Sequence, residues 1–324
     1  MIGDGFPRGI GLDEWLTERL LADGVWLVRH PTDPDRPRLV VKRKHGYLSE
    51  SEFSAQGTVH RRAHAAGAPV PAIPPFLAPS PVRGTDGVLY QVCCWVDGVP
   101  VERGDRSGLS ALGAAMAQFH RSCENALDDV VYEAQEPHDR FEKARFHFPL
   151  LAEGLGADGS IRLRLLEAAL VTAEADLASR PPIPHVVVHG DPCPENGVLG
   201  PDGTVSLIDL DDVHMGPAVA DVAYLLISVG AVMFGGDRFL PAWDEPSVAA
   251  VLNGYLARRP LSDLEWDGLA PWLTAGLCCA VTDQLYHNGW KIPTTELSAE
   301  CSKVLALVDP AALADVVKTA RSRS

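Results

Sequence analysis

Residues 184–212 read PHVVVHGDPCPENGVLGPDGTVSLIDLDD, and the reading of the whole chain turns on them. Val186–Val188 is a β-branched apolar run of strand length. It delivers His189-Gly190-Asp191 into a loop, and Asn196 follows the aspartate by five positions. Val198-Leu199 and Val205–Ile208 flank Pro201-Asp202-Gly203, turn chemistry that predicts a β-hairpin. The second arm ends in Asp209. Two carboxylates and a carboxamide are therefore expected at one end of a small strand cluster.

That trio suits phosphoryl transfer, in which one carboxylate accepts the proton of an attacking hydroxyl while a second, with an amide oxygen, holds Mg²⁺ against nucleotide phosphates. Protein kinases carry H-R-D-x-x-x-x-N with a metal-binding Asp beyond it; here the loop is H-G-D-x-x-x-x-N. Asp191 is expected as the catalytic base, with Asn196 and Asp209 as the Mg²⁺ ligands. HGDPCPENGVL, followed by SLIDLDD and GPAVADVAYLL, resembles the aminoglycoside-phosphotransferase-like kinases, a group that takes in antibiotic, choline and homoserine-type kinases. The resemblance implies a two-lobed, protein-kinase-like α+β fold. A nucleotide-binding N-lobe over 1–97, an antiparallel sheet with a helix, would precede a mostly helical C-lobe over 98–324 that binds the acceptor. It further implies ATP or GTP as donor, Mg²⁺, and a small hydroxylated acceptor. An antibiotic such as an aminoglycoside is favoured over a homoserine- or choline-type metabolite. Gly190 replaces the Arg of protein kinases, as is usual in the small-molecule branch.

Composition narrows the partners. The 324 residues are 46% hydrophobic, enough for a sizeable core, and 43 acidic against 28 basic residues give a charge of −15. Such a surface argues against nucleic acid or an anionic membrane and tolerates a cationic acceptor. Seven cysteines without metal-ligand spacing suggest free thiols in a reducing cytoplasm. Met1-Ile2-Gly3-Asp4 lacks the basic and apolar regions of a signal peptide. Val222–Phe234 is too short an apolar run to span a bilayer and reads as a buried helix.

Before this stretch, Leu12, Trp15, Leu16 and Leu20 have near-helical spacing and predict a short helix over Gly11–Leu21. Gly24–Arg29 and Arg38–Arg43 read as strands of a hairpin. Lys42 ends the second in the context Leu39-Val40-Val41-Lys42, the position of the phosphate-gripping lysine, with Lys44 on the same face as the alternative. Ser49-Glu50-Ser51-Glu52 is a capping box opening a helix to about Ala66. The glutamate that fixes the lysine in protein kinases falls near Gln56 here, with Glu52 as a substitute, and no glycine-rich phosphate loop is visible near residues 20–30. Pro69–Pro81 reads as an ordered loop. Val88–Val96 reads as a buried strand, and the resemblance puts the adenine hinge around Cys94 to Val96.

Leu109, Leu112, Met116 and Phe119 mark an amphipathic helix ending at His120, a core histidine, and Leu166, Leu170, Ala173 and Leu177 mark another. Asp221 is expected to cap a helix or pin the catalytic loop, and His189 to anchor that loop. Asp211 and Asp212 bind substrate amines, add to the metal shell, or form a solvated acidic turn. Glu195, Asp283, His287 and Trp290 fall where the family builds its acceptor pocket. Two other readings compete. A DxD glycosyltransferase would use Asp209-Leu210-Asp211 but leaves Asp191 and Asn196 idle. A catalytically inactive nucleotide-binding relative would account for the missing glutamate and glycine loop.

Overall fold

The computed structural model describes residues 6–44, 49–77, 81–123, 139–152, 157–231, 243–287 and 294–322, with the backbone alone for 150–152, 157–159, 283–287 and 294–300. Strands β1 (Leu16–Ala22) and β2 (Val25–Arg29) meet across Asp23-Gly24, where Gly24 takes φ +70°. β3 (Leu39–Arg43), helix α1 (Glu50–Ala65), β4 (Val82–Arg83) and β5 (Leu89–Cys94) follow, and the antiparallel sheet runs β1-β2-β3-β5-β4. Alternate residues Trp26, Val28, Leu39, Val41, Tyr90 and Val92 bury one face, joined by Phe6, Ile10, Leu12 and Trp15.

The helix expected over Gly11–Leu21 is a strand from Leu16 onward. Leu12 and Trp15 are buried, but Leu20 is 59% exposed, so the apolar spacing marks no helix face. The two-residue Asp23-Gly24 turn commits the segment to pairing with β2, from Leu16↔Arg29 to Ala22↔Val25. The capping box forms as read: Ser49 Oγ accepts from Glu52 N (3.2 Å) and Glu52 Oε2 from Ser49 N (2.8 Å). Along α1, His60 Nε2–H donates to Pro71 O (2.7 Å) and His64 Nδ1–H to Val70 O (3.0 Å), which orders the proline segment. That segment reaches across to the helical half, where Leu207 N donates to Pro69 O (2.7 Å).

The second half comprises β6 (Val99–Pro100), α2 (Arg106–Cys123), α3 (Arg140–Ala152), α4 (Ala157–Ala178), β7 (His185–Val188), β8 (Gly197–Leu199), β9 (Val205–Leu207), β10 (His214–Pro217), α5 (Ala218–Gly230), α6 (Glu245–Leu256), α7 (Asp263–His287), α8 (Thr294–Leu307) and α9 (Pro310–Arg321). α2 runs one turn past the expected end at His120. The larger core joins its apolar face to those of α4 to α7 and takes in Val59 and Ala63 from α1. β7 pairs antiparallel with β10, and the expected hairpin is β8–β9, with β6 along its outer edge. Among the described residues no helix is long and apolar enough to cross a membrane. α5 forms the first part of the expected buried helix; residues 232–242 lie outside the described residues.

Candidate active site

The catalytic-type loop leaves β7 and is fixed at its backbone by Asp221, in the first turn of α5. Asp221 accepts from His189 N (2.6 Å) and Gly190 N (3.0 Å). His120 Nε2 lies 3.0 Å from the same carboxylate, and its Nδ1 2.8 Å from the Tyr255 hydroxyl. All three side chains are buried. Burial opposes the charge on Asp221, but the bond from His120 and the loop amides outweigh it and hold this carboxyl below its usual range. Of the two roles expected for Asp221, the structure thus shows the pin; the helix N-cap is Pro217, without a side-chain bond. His189 Nε2–H donates to Ile208 O (2.9 Å), which ties the loop to the segment carrying Asp209.

Gly190 sits at φ +85°, and a Cβ there would come 2.0 Å from Asp212 O. No side chain fits, so an arginine at this position is excluded sterically. A guanidinium arrives from elsewhere. Arg140, at the start of α3, donates to Gly190 O, stands 3.9 Å from Asp191 Oδ1, and lies 3.8 Å from the Tyr224 ring centroid. It is 7% exposed. Nothing in the local sequence marks it, because its partners are some 50 positions away. Burial raises the Asp191 pKa; Arg140 opposes that rise, and the charges of Asp212 and Asp209 add to it.

Asn196 Nδ2 donates to both Asp191 O (2.9 Å) and Asp191 Oδ2 (3.2 Å). The amide orientation this fixes leaves Oδ1 as the donor atom for a cation. Ile208 N in turn donates to Asn196 O (2.9 Å). The next residue, Asp209, adopts left-handed backbone angles (φ 62°, ψ 63°), the one non-glycine with positive φ among the described residues. Aspartate tolerates this conformation, which ends the strand and turns the carboxylate toward the sheet. There Lys42 Nζ lies 2.6 Å from Asp209 Oδ1 and 2.8 Å from Asp211 Oδ2. Burial opposes the lysine's charge, but Asp211 and Asp209 outweigh it and raise its pKa.

Lys44 also pairs with Asp211, and the Gln56 carboxamide donates to Asp211 O. Burial lowers the Lys44 pKa despite that partner. Asp211 itself is held at about 2: burial pushes it up, and the two ammonium groups more than reverse this.

Asp191, Asn196, Asp209, Lys42 and Asp211 are therefore brought together. Asp212 is close by, its charge felt by Asp191 and Arg140. Glu195 instead pairs with Arg103 (3.2 Å) on the surface. Cys94 ends β5 with its N–H donated to Ala72 O (2.8 Å), and Val96 follows, half-buried. The side chains of Asp283 and His287, and Trp290 entirely, lie outside the described residues. Among the described residues no group of three or more His, Cys, Asp or Glu side chains is arranged to hold a metal. The hard oxygens of Asn196 and Asp209 fit Mg²⁺, which takes few protein ligands and keeps phosphate oxygens and water for the rest.

A lysine-bearing antiparallel sheet over a helical half with an H-G-D-x-x-x-x-N loop is the architecture of protein-kinase-like phosphotransferases. The chain belongs to the phosphotransferase enzyme family, whose sequence model matches residues 22–261, and it transfers phosphate to an alcohol group. Solved structures agree in fold. An aminoglycoside phosphotransferase from Alicyclobacillus acidocaldarius is 20% identical with a TM-score of 0.62, over 94% of this chain and 92% of that one. A microcompartment-associated aminopropanol kinase is 15% identical at TM-score 0.66, over 94% of both chains. The amicoumacin kinase hAmiN, solved with AMP-PNP, Ca²⁺ and Ami, is 14% identical at TM-score 0.63, over 93% of this chain and 90% of that one. No curated protein matches the chain.

Proposed function

We propose that the protein moves the γ-phosphate of ATP or GTP to a hydroxyl of a small molecule, with Asp191 as base, Asn196 and Asp209 as Mg²⁺ ligands and Lys42 on the α- and β-phosphates. The observation that carries this reading is one hydrogen-bonded unit. Asn196 holds Asp191 by its side chain and Ile208 by its backbone, so base and metal donors move together, facing Lys42. Asp191 orients the acceptor hydroxyl and takes its proton as that oxygen bonds to the γ-phosphorus and the β–γ bridging oxygen departs with the nucleoside diphosphate. Mg²⁺, when bound, supplies positive charge against the phosphate oxygens. The adenine or guanine edge pairs with the main chain around Cys94 to Val96. Asp97-Gly98 is the proposed boundary between the two lobes, 1–97 and 98–324.

The acceptor we favour is an amine-bearing natural product such as an aminoglycoside, with a choline- or homoserine-type metabolite as the second reading. The acidic Asp211-Asp212 pair near Asp191 and the titles of the similar structures, which include aminoglycoside, amicoumacin and aminopropanol kinases, support a cationic acceptor. Seven cysteines, none of them in a disulfide, support a cytoplasmic setting. The test is radiolabelled phosphate transfer from Mg-ATP and Mg-GTP to a panel of aminoglycosides, amino alcohols and hydroxy amino acids. Transfer to at least one member is expected. Nucleotide-dependent thermal stabilisation without transfer to any of them favours the catalytically inactive alternative.

A further inference from the structure

The phosphate-gripping lysine of protein kinases is held by a helix glutamate. In this chain α1 presents Gln56 near that point, and Glu52 commits Oε2 to the Ser49 amide at the helix start. The ion pairs on Lys42 come instead from the far side, from Asp209 and Asp211. Asp209 is a proposed Mg²⁺ ligand. Asp211 has a different set of neighbours: Lys44 pairs with its carboxylate, and Gln56 binds its backbone carbonyl. The Lys44 side chain is only 2% exposed, its ammonium 5.1 Å from the Phe53 ring of α1. A lysine buried this deeply is costly without an anionic partner, so its presence fixes where Asp211 must stay.

We propose that Asp211, clamped between Lys44 and the Gln56 carboxamide, anchors Lys42 in place of the helix glutamate. This rests on the kinase reading of the site and adds a residue to it. Lys44 and Gln56 are positioning residues, acting through Asp211. The arrangement moves the anchor from the helix to the segment just after the metal-binding Asp209. The orientation of Lys42 is then coupled to the metal side of the site rather than to rotation of α1.

The test is equilibrium binding of mant-ATP to the full chain, with Mg²⁺ and separately with EDTA, for wild type, Lys44→Met, Gln56→Leu, the double variant and Asp211→Asn. Melting temperature is recorded for each. Lys44→Met is expected to weaken binding about tenfold, the scale of a lost charge-assisted anchor. Gln56→Leu, which cannot donate to Asp211 O, also weakens binding, and the double variant, with both halves of the clamp gone, is no tighter than Lys44→Met. Asp211→Asn, which keeps shape and the backbone bond to Gln56, weakens binding to a similar degree with or without Mg²⁺. Wild-type affinity in a folded Lys44→Met protein overturns the proposal, as does a double variant that binds with wild-type affinity. An Asp211→Asn loss seen only with Mg²⁺ also overturns it, since that marks a metal ligand, and this variant carries the test alone if Lys44→Met does not fold. Wild type binding neither Mg-ATP nor Mg-GTP fails the kinase reading itself, a separable result.

Discussion

Asp191 and Arg140 meet at one loop from distant parts of the chain, 3.9 Å apart. Asp191→Asn keeps the Asn196 contacts and the loop backbone, so it should fold and bind Mg-nucleotide with wild-type affinity while turnover falls about 10²–10⁴-fold. Steady-state kinetics beside nucleotide titration measure that split. Arg140 reaches the same loop from α3 by binding Gly190 O. Arg140→Met should leave nucleotide affinity unchanged and lower turnover by about 10²-fold, the cost of a catalytic group displaced by about 1 Å, with Arg140→Lys recovering part of it. Gly190→Ala forces a Cβ against Asp212 O at φ +85°. It should destabilise the fold by at least about 1–3 kcal/mol in urea denaturation, with loss of activity.

At the scale of elements, helix α1 carries a pH response through His60. Its Nε2–H donates to Pro71 O, and Nδ1 is buried without a hydrogen-bond partner among the described residues, so a second proton has nowhere favourable to go. Burial lowers its pKa from 6.5 to about 4, only partly offset by the Pro71 carbonyl. The unfolded chain therefore binds a proton below pH 6.5 that the folded chain refuses. The stability linked to the neutral ring is whole above that pH and is lost as pH falls toward 4, about 3 kcal/mol in total. His60→Gln, which can still donate to Pro71 O, should flatten the pH 7-to-4 slope of denaturant stability relative to wild type.

The same scale explains what sequence could reveal. β7, the β8–β9 hairpin and the α1 capping box were legible because each is specified by a few consecutive residues: Val186–Val188, Asp202-Gly203, Ser49 to Glu52. β1 reads as a helix in sequence because Leu12, Trp15, Leu16 and Leu20 mimic a helical stripe, whereas the strand is specified by its pairing with β2. That Asp191, Asn196 and Asp209 converge is legible from the loop spacing and the hairpin, and that Lys42 faces them from its strand order and context. Arg140 and the Lys44–Asp211–Gln56 cluster were not, since they join segments about 50 and 155–167 positions apart.

For the molecule as a whole, one apolar core backs the five-stranded sheet and a larger one, to which α1 contributes Val59 and Ala63, fills the helical half. Ion pairs from Lys42 and Lys44, and the Pro69–Leu207 bond, cross between the halves. A nucleotide gripped by both halves should protect the entire chain, since binding restricted to the folded state adds stability by mass action. At a concentration of 100 Kd, Mg-ATP should add about 2.7 kcal/mol and raise the melting temperature, and EDTA should remove most of that gain. A nucleotide shift insensitive to EDTA would count against Asn196 and Asp209 as metal ligands.

The contact between Gly190 and the carbonyl of Asp212 also sets a rule for redesign. So long as residues 210–212 lie against the loop, a library that varies position 190 alone should return glycine. Larger residues should emerge only when 210–212 are varied in the same library, so the two segments form a single unit of engineering.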